Sequence, residues 1–103
     1  MVNVIASIRV KPGKRADLIA AFNANVPNVL AEAGCIDYYP NVDIDAHMTY
    51  PPQDMDENVV TIIEKWESLE ALHAHTKAPH MATYREQVKD LVEGVSVKVL
   101  ETA

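Results

Sequence analysis

Val2, Val4, Ala6, Ile8 and Val10 alternate with Asn3, Ser7, Arg9 and Lys11, a period of two that predicts a strand ending at the Pro12-Gly13 turn. Ile5 puts an apolar side chain on the polar side, so both faces of that strand are expected to be partly covered. From Lys14 to Ala33 the period changes to that of a helix. Leu18, Ala21, Phe22, Val26, Val29, Leu30 and Ala33 fall on one stripe, and Gly34 is its expected stop. Pro27 lacks a backbone donor and crowds the preceding turn, which predicts a kink or break between Asn23 and Pro27. A second strand is expected from Cys35 towards Ile44, at an edge or with a bulge because of Pro40. Residues 46–58 carry Pro51-Pro52 and no periodicity, and read as a long hairpin loop.

Residues 59–67 (VVTIIEKWE) are rich in β-branched side chains and predict a third strand. Ser68 suits a helix N-cap, and Leu69, Leu72 and Thr76 outline a short helix that stops before Pro79. Pro79 can open another helix, with Met81, Tyr84, Val88, Leu91 and Val92 as its stripe and Gly94 as its stop. Val95, Val97 and Val99 then alternate with Ser96, Lys98 and Leu100 as a last strand. Strand, helix, two strands, a helix pair and a strand make the α+β, βαββαβ order of ferredoxin-like folds, an antiparallel sheet with its helices on one face. No element remains to cover the other face, and a second copy is the simplest cover.

A length of 103 residues fits a single domain over residues 1–103. The net charge of −6 would repel a nucleic-acid backbone, and the acidic residues are scattered, so nucleic acid is excluded as a partner. Cys35 is the only cysteine, which excludes an intrachain disulfide and a Cys-rich metal site; it reads as a small packing residue in a reducing compartment. No window approaches the roughly 20 apolar residues of a membrane span, and a cytoplasmic protein without membrane insertion is expected. Three glycines leave no room for a dinucleotide or P-loop signature.

Several residues could carry chemistry. Ile62, Glu64 and Trp66 share one face of the third strand, so Glu64 is either an edge ion pair or a desolvated carboxylate fit for proton transfer. Trp66 is core or a ligand platform. His73, His75 and His80 gather in HAHTKAPH near Tyr84, and imidazole is the natural acid or base near neutral pH. Helical rotation places His73, rather than His75, on the buried face. His75, His80 and Glu64 include metal-donor types, but no HExxH spacing occurs and no metal site is expected. Asn25 falls inside the stripe of Leu18, Phe22 and Val29, where its amide either serves the backbone freed by Pro27 or meets a ligand. Tyr38 and Tyr39 face opposite ways, and Tyr38 is the one expected beside Glu64.

The segments VIASIRVKPGKRADLIAAF, VPNVLAEAGCIDYYPNVD and IIEKWESLEALHAHTKAPHMATYREQV resemble the antibiotic-biosynthesis monooxygenase family, most of all its bacterial quinol monooxygenase branch. The most specific part is E-x-W-x-S followed by H-x(4)-H: Glu64, Trp66, Ser68, His75 and His80. The resemblance covers nearly the whole chain. It implies a ferredoxin-like protomer that pairs into a dimeric α+β barrel, acting on a quinol or related polyphenol with molecular oxygen and with no metal or flavin cofactor. It also implies that His75, rather than His73, is the site histidine. On this reading His75 or Glu64 takes the phenolic proton, Trp66 stacks on the ring, and Asn25, His80 and Tyr84 orient its oxygens, with Tyr38 in the same pocket.

A similar H-x(4)-H segment occurs on this fold in an isomerase of a phosphorylated autoinducer-type diketone. That alternative needs a cationic anchor, for which Arg9, Lys65 and Arg85 are the candidates. A non-catalytic, quinone-binding stress protein is the other alternative.

Overall fold

The computed structural model of the chain describes residues 1–103. Its elements run β1 (Val2–Val10), α1 (Arg15–Leu30), β2 (Cys35–Asn41), β3 (Val59–Trp66), α2 (Leu69–Thr76), α3 (Pro79–Val88) and β4 (Val92–Glu101). The four strands form one antiparallel sheet in the order β2-β3-β1-β4, the ferredoxin-like arrangement predicted from the periodicities. No helix is long and apolar enough to cross a membrane.

Register turns the alternation of each strand into rows across the sheet. On the face beneath the helices, Tyr38, Glu64, Val4 and Val99 pair in one row, and Pro40, Ile62, Ala6 and Val97 in the next. Val4, Ile62 and Trp66 are almost fully buried there, against Leu18, Phe22 and Val29 of α1. The opposite face carries Tyr39, Ile63, Ile5 and Lys98 in one row, with Ile5, Ile63 and Tyr39 left exposed.

Four boundaries depart from the sequence reading. The helix α1 runs through Pro27 unbroken; Asn23 and Pro27 are both exposed, so the carbonyl that loses its donor can bond to water while Phe22 and Val29 stay anchored in the core. Strand β2 ends at Asn41, opposite Thr61, and does not reach Ile44 because β3 pairs only with β1 beyond that point. It is an edge strand, and its register shifts between Cys35 and Asp37. Gly94 does not stop α3, which ends at Val88. Val92 instead pairs with Val10, and Gly94 lies in β4 where the register shifts. Ladder pairing of Val92 with Val10 outweighs its helical spacing.

Gly34 fixes how the turn after α1 meets α2. Its φ of +84° lies in the region L side chains avoid, and a Cβ there would sit 2.6 Å from Ala71 Cβ. Gly34→Ala is expected to destabilise the fold by about 2 kcal/mol, lowering Tm by about 10 °C. Gly13, at φ +79° with open space around it, is the control. Gly13→Ala carries only the backbone cost, so equal losses of Tm in the two variants would refute the close-approach argument.

Candidate active site

The short helix α2 begins at Ser68, whose Oγ accepts from the Ala71 amide at 3.1 Å, as the sequence predicts. Eight residues from Leu69 carry the chain over β3 and set His75 down on the sheet, where it is 5% exposed. The imidazole lies against Trp66, with ring centroids 4.7 Å apart, and edge-on to Tyr38 at 5.4 Å. His73, the histidine favoured by helical rotation, is exposed. Two turns of helix carry too few apolar positions to orient the face: His75 is the buried histidine, and both His73 and His75 line the cavity described below.

Glu32 holds this histidine. It sits in the turn after α1 that Gly34 brings against α2, and its Oε2 accepts from His75 Nδ1 at 2.8 Å and from His80 Nε2 at 3.1 Å. Asn25 Nδ2 meets His80 Nδ1 at 3.1 Å, and Asn25 Oδ1 accepts from Asn28 at 3.0 Å. These contacts are satisfied together when each histidine donates to the carboxylate, which leaves His75 Nε2 as a free acceptor. Asn25 therefore serves His80, not the backbone freed by Pro27. Glu32 escaped the sequence reading, although it is the only charged residue between Asp17 and Asp37. That isolation in an apolar run was the available signal.

A cavity of about 780 Å³ opens between the sheet and helices α2 and α3, lined mostly by apolar side chains. Tyr38, Glu64, His75 and Tyr84 border it. Asn25, His80 and Trp66 do not. Trp66 is wholly buried beneath His75, donating from Nε1 to Glu64 Oε1 at 2.9 Å, so it supports the site from below and presents no ring for stacking. Phe22 stacks on Tyr38 at 4.9 Å and meets Tyr84 edge-on at 6.0 Å, fixing both phenols. The Tyr84 hydroxyl is buried without a partner, and such a group costs about 1–3 kcal/mol unless a water or ligand oxygen meets it.

The electrostatics follow from the burial of these groups. Burial, partly countered by the Trp66 hydrogen bond and His75, pushes the Glu64 carboxyl above the usual glutamate range. Burial and then Glu64 push the Tyr38 phenol up, and burial alone pushes Tyr84 up to about 12. Cys35 rises to about 11 by burial and by the carboxylates of Glu32, Glu64 and Asp37, which keeps its thiol protonated, as a packing residue should be. No group of three His, Cys, Asp or Glu side chains is placed to hold a metal ion. Of the candidate phosphate anchors, Arg9 and Lys65 leave from the opposite face, Arg9 pairing with Asp56 at 2.7 Å. Only Arg85 reaches the cavity, and it donates to the Thr76 carbonyl at 2.9 Å.

The raised Glu64 has a consequence for stability. Between the unfolded value near 4.5 and its higher folded value, the unfolded chain has released this proton and the folded one has not. Stability therefore falls as pH rises through that window, and the loss is complete above the folded value. Glu64→Gln cannot ionise and keeps an acceptor for Trp66, so it is expected to raise Tm at neutral pH by about 4 °C and to flatten its fall above pH 5. Melting curves over pH decide it; a Tm below wild type at neutral pH would refute it.

Residues 1–87 match the family model described as antibiotic biosynthesis monooxygenase. The chain is 40% identical over 103 residues to the "Probable quinol monooxygenase YgiN" of Escherichia coli, spanning 98% of this chain and 97% of that one. Among solved structures, Rv0793 from Mycobacterium tuberculosis superposes with a TM-score of 0.78 at 30% identity, covering 99% of this chain and 94% of that one. Protein SO0527 from Shewanella oneidensis gives 0.79 at 31%, with 98% and 89% covered. A family match over most of the length, with full-length relatives that share the fold, means that the chain belongs to the antibiotic biosynthesis monooxygenase family and is by that membership a monooxygenase.

Proposed function

We propose that this protein is a quinol monooxygenase that uses molecular oxygen without a metal or flavin, and that His75 is its base. The observation that carries the reading is the buried imidazole whose Nδ1 is held by Glu32 while Nε2 is free beside an apolar cavity. The name of the Escherichia coli relative supports the substrate class.

His75 Nε2 takes a phenolic proton, and the resulting anion has a low enough ionisation energy to pass one electron to oxygen. Recombination of the two radicals forms a carbon–oxygen bond. The ring carbon that carries the peroxide then loses its hydrogen as a proton while the oxygen–oxygen bond breaks; that proton and the one returned by His75 leave with the distal oxygen as water, so that quinol and dioxygen yield a hydroxyquinone and water. Tyr84 and Glu64 hydrogen-bond the substrate oxygens, and exclusion of water strengthens those contacts while the charge is on the ring. Tyr38 forms the floor beside them. Asn25, His80 and Trp66 act from behind, the first two through Glu32 and the third through Glu64 and His75. These placements replace the roles in which Trp66 stacks on the ring and Asn25 and His80 touch its oxygens.

A second copy of the chain on the exposed row of Tyr39, Ile63 and Ile5 completes the proposal as a homodimer, since an apolar sheet face needs cover. Light scattering tests it. The reaction is tested by oxygen uptake with chemically reduced naphthoquinol, under chelator, against a protein-free control. Saturable uptake above the control, with one atom of labelled dioxygen in a hydroxyquinone product, is the expected result. Uptake no faster than autoxidation would overturn the reading, and quinone with hydrogen peroxide would make the protein an oxidase.

A further inference from the structure

The cavity is larger than the site chemistry requires, and its excess lies on one side. Tyr38, Glu64, Val4 and Val99 occupy successive strands of a single row, so the β4 end of that row is two strands from Glu64, or about 10 Å. Val95, Val97 and Val99 point to the same face as Ile8, Ala6 and Val4, yet they are 61%, 58% and 48% exposed, because no helix lies over β4. They line the same cavity as His75 and Tyr84. The result is an apolar trough along β4, about 13 Å from Val95 to Val99, continuous with the polar end of the site.

A bicyclic quinol has twelve non-hydrogen atoms; even if each took the ~30 Å³ of a liquid water, the ring would occupy at most about 360 Å³. Less than half of the 780 Å³ is then filled. The remainder is walled by Val95, Val97 and Val99, which suits an apolar group continuous with the one held at Glu64 and His75. A second copy seated on Tyr39, Ile63 and Ile5 would lie on the opposite face of the sheet.

We propose, resting on the quinol reading above, that the substrate carries a hydrocarbon tail and that the Val95, Val97 and Val99 trough is its binding site. The natural substrate class is then a lipid quinol, with its ring at Glu64 and His75 and its chain along β4. The trough is open along one side, so each isoprene unit gains well under its full transfer free energy, about tenfold in affinity, for roughly two units.

Equilibrium binding of oxidised naphthoquinones bearing no tail or one, two or three isoprene units, read by quenching of the single tryptophan Trp66, tests this without turnover. Wild-type affinity is expected to rise about tenfold per unit for two units and then level off. In Val97→Asp, and more mildly in Val97→Ser, the ratio of tailed to tail-less affinity is expected to fall at least tenfold. Affinity indifferent to tail length, or a ratio unmoved by Val97→Asp, would overturn the proposal. A change in solution mass in Val97→Asp would also overturn it, because the trough would then be an interface between copies. Tail-dependent binding with no oxygen uptake above the control would sink the quinol monooxygenase reading and leave the trough assignment standing; uptake with no tail dependence would do the reverse.

Discussion

Replacing His75 by alanine should lower protein-dependent oxygen uptake with a reduced naphthoquinol about a hundredfold at saturating substrate. The argument is geometric. His75 is the only imidazole that is both buried and on the cavity wall, and its Nδ1 is committed to Glu32 at 2.8 Å. Of the other groups facing the cavity, the Tyr38 and Tyr84 phenols are pushed up by burial and stay protonated, Glu64 is raised by burial but is engaged by Trp66 Nε1, and His73 is an exposed imidazole with no carboxylate holding it. No other buried, carboxylate-held imidazole replaces it once it is gone, whereas the apolar cavity that binds the ring is nearly unchanged. The loss should therefore fall on kcat with little change in KM. Alanine leaves a space the size of the ring, so added imidazole should restore part of the rate. A circular dichroism melt of the variant establishes that it is folded at the assay temperature. Wild-type kcat in a folded His75→Ala protein would remove His75 from the reaction.

The parts of this molecule that were legible in its sequence are those where one face of a regular element is buried. Val2 to Val10 and Val59 to Trp66 show their period of two because a sheet face under helices tolerates little else, and the same alternation placed Tyr38 and Glu64 inward. Ser68 was legible because a helix cap demands a short list of residue types, whereas Gly34, expected to stop α1, stands beyond its end at Leu30 and instead takes the left-handed turn into β2. Periodicity failed where elements are short or end in competition. Eight residues of α2 could not say which histidine faced in, and Val92 satisfied both a helical spacing and a strand pairing. Type and neighbours leave Trp66 as core or platform, and only the resemblance implies stacking on the ring; the packing of α2 shows His75 lying between it and the cavity. Glu32 was hidden for a different reason. Its partners lie 43 and 48 residues further along the chain, and nothing local to a turn announces a contact at that distance.

Glu32 should nevertheless matter nearly as much as the histidine it holds. One oxygen, Oε2, accepts from both His75 and His80, so the carboxylate orients the imidazole and is the nearest negative charge to balance the imidazolium that forms when the quinol is deprotonated. Two substitutions separate those roles. Glu32→Ala removes the acceptor; His75 is then free to place its N–H on either nitrogen and to turn on Cβ, and kcat should fall about a hundredfold. Glu32→Gln keeps a carbonyl oxygen that can accept from both rings but carries no charge, so the orientation survives and the loss should be about tenfold. If orientation and charge act together on His75, neither variant should slow a His75→Ala background further, because the group they serve is absent. Additive losses in the double variants would show that Glu32 acts on the substrate or the fold independently of His75. Equal losses in Glu32→Ala and Glu32→Gln would assign the whole effect to charge. The second histidine provides a further check: His80→Ala removes one of the two N–H groups on Oε2 and the link to Asn25 while leaving the His75 contact in place. Its effect should be smaller than that of either Glu32 variant, and an effect as large as Glu32→Ala would mean that the carboxylate holds its position only through the chain from α3.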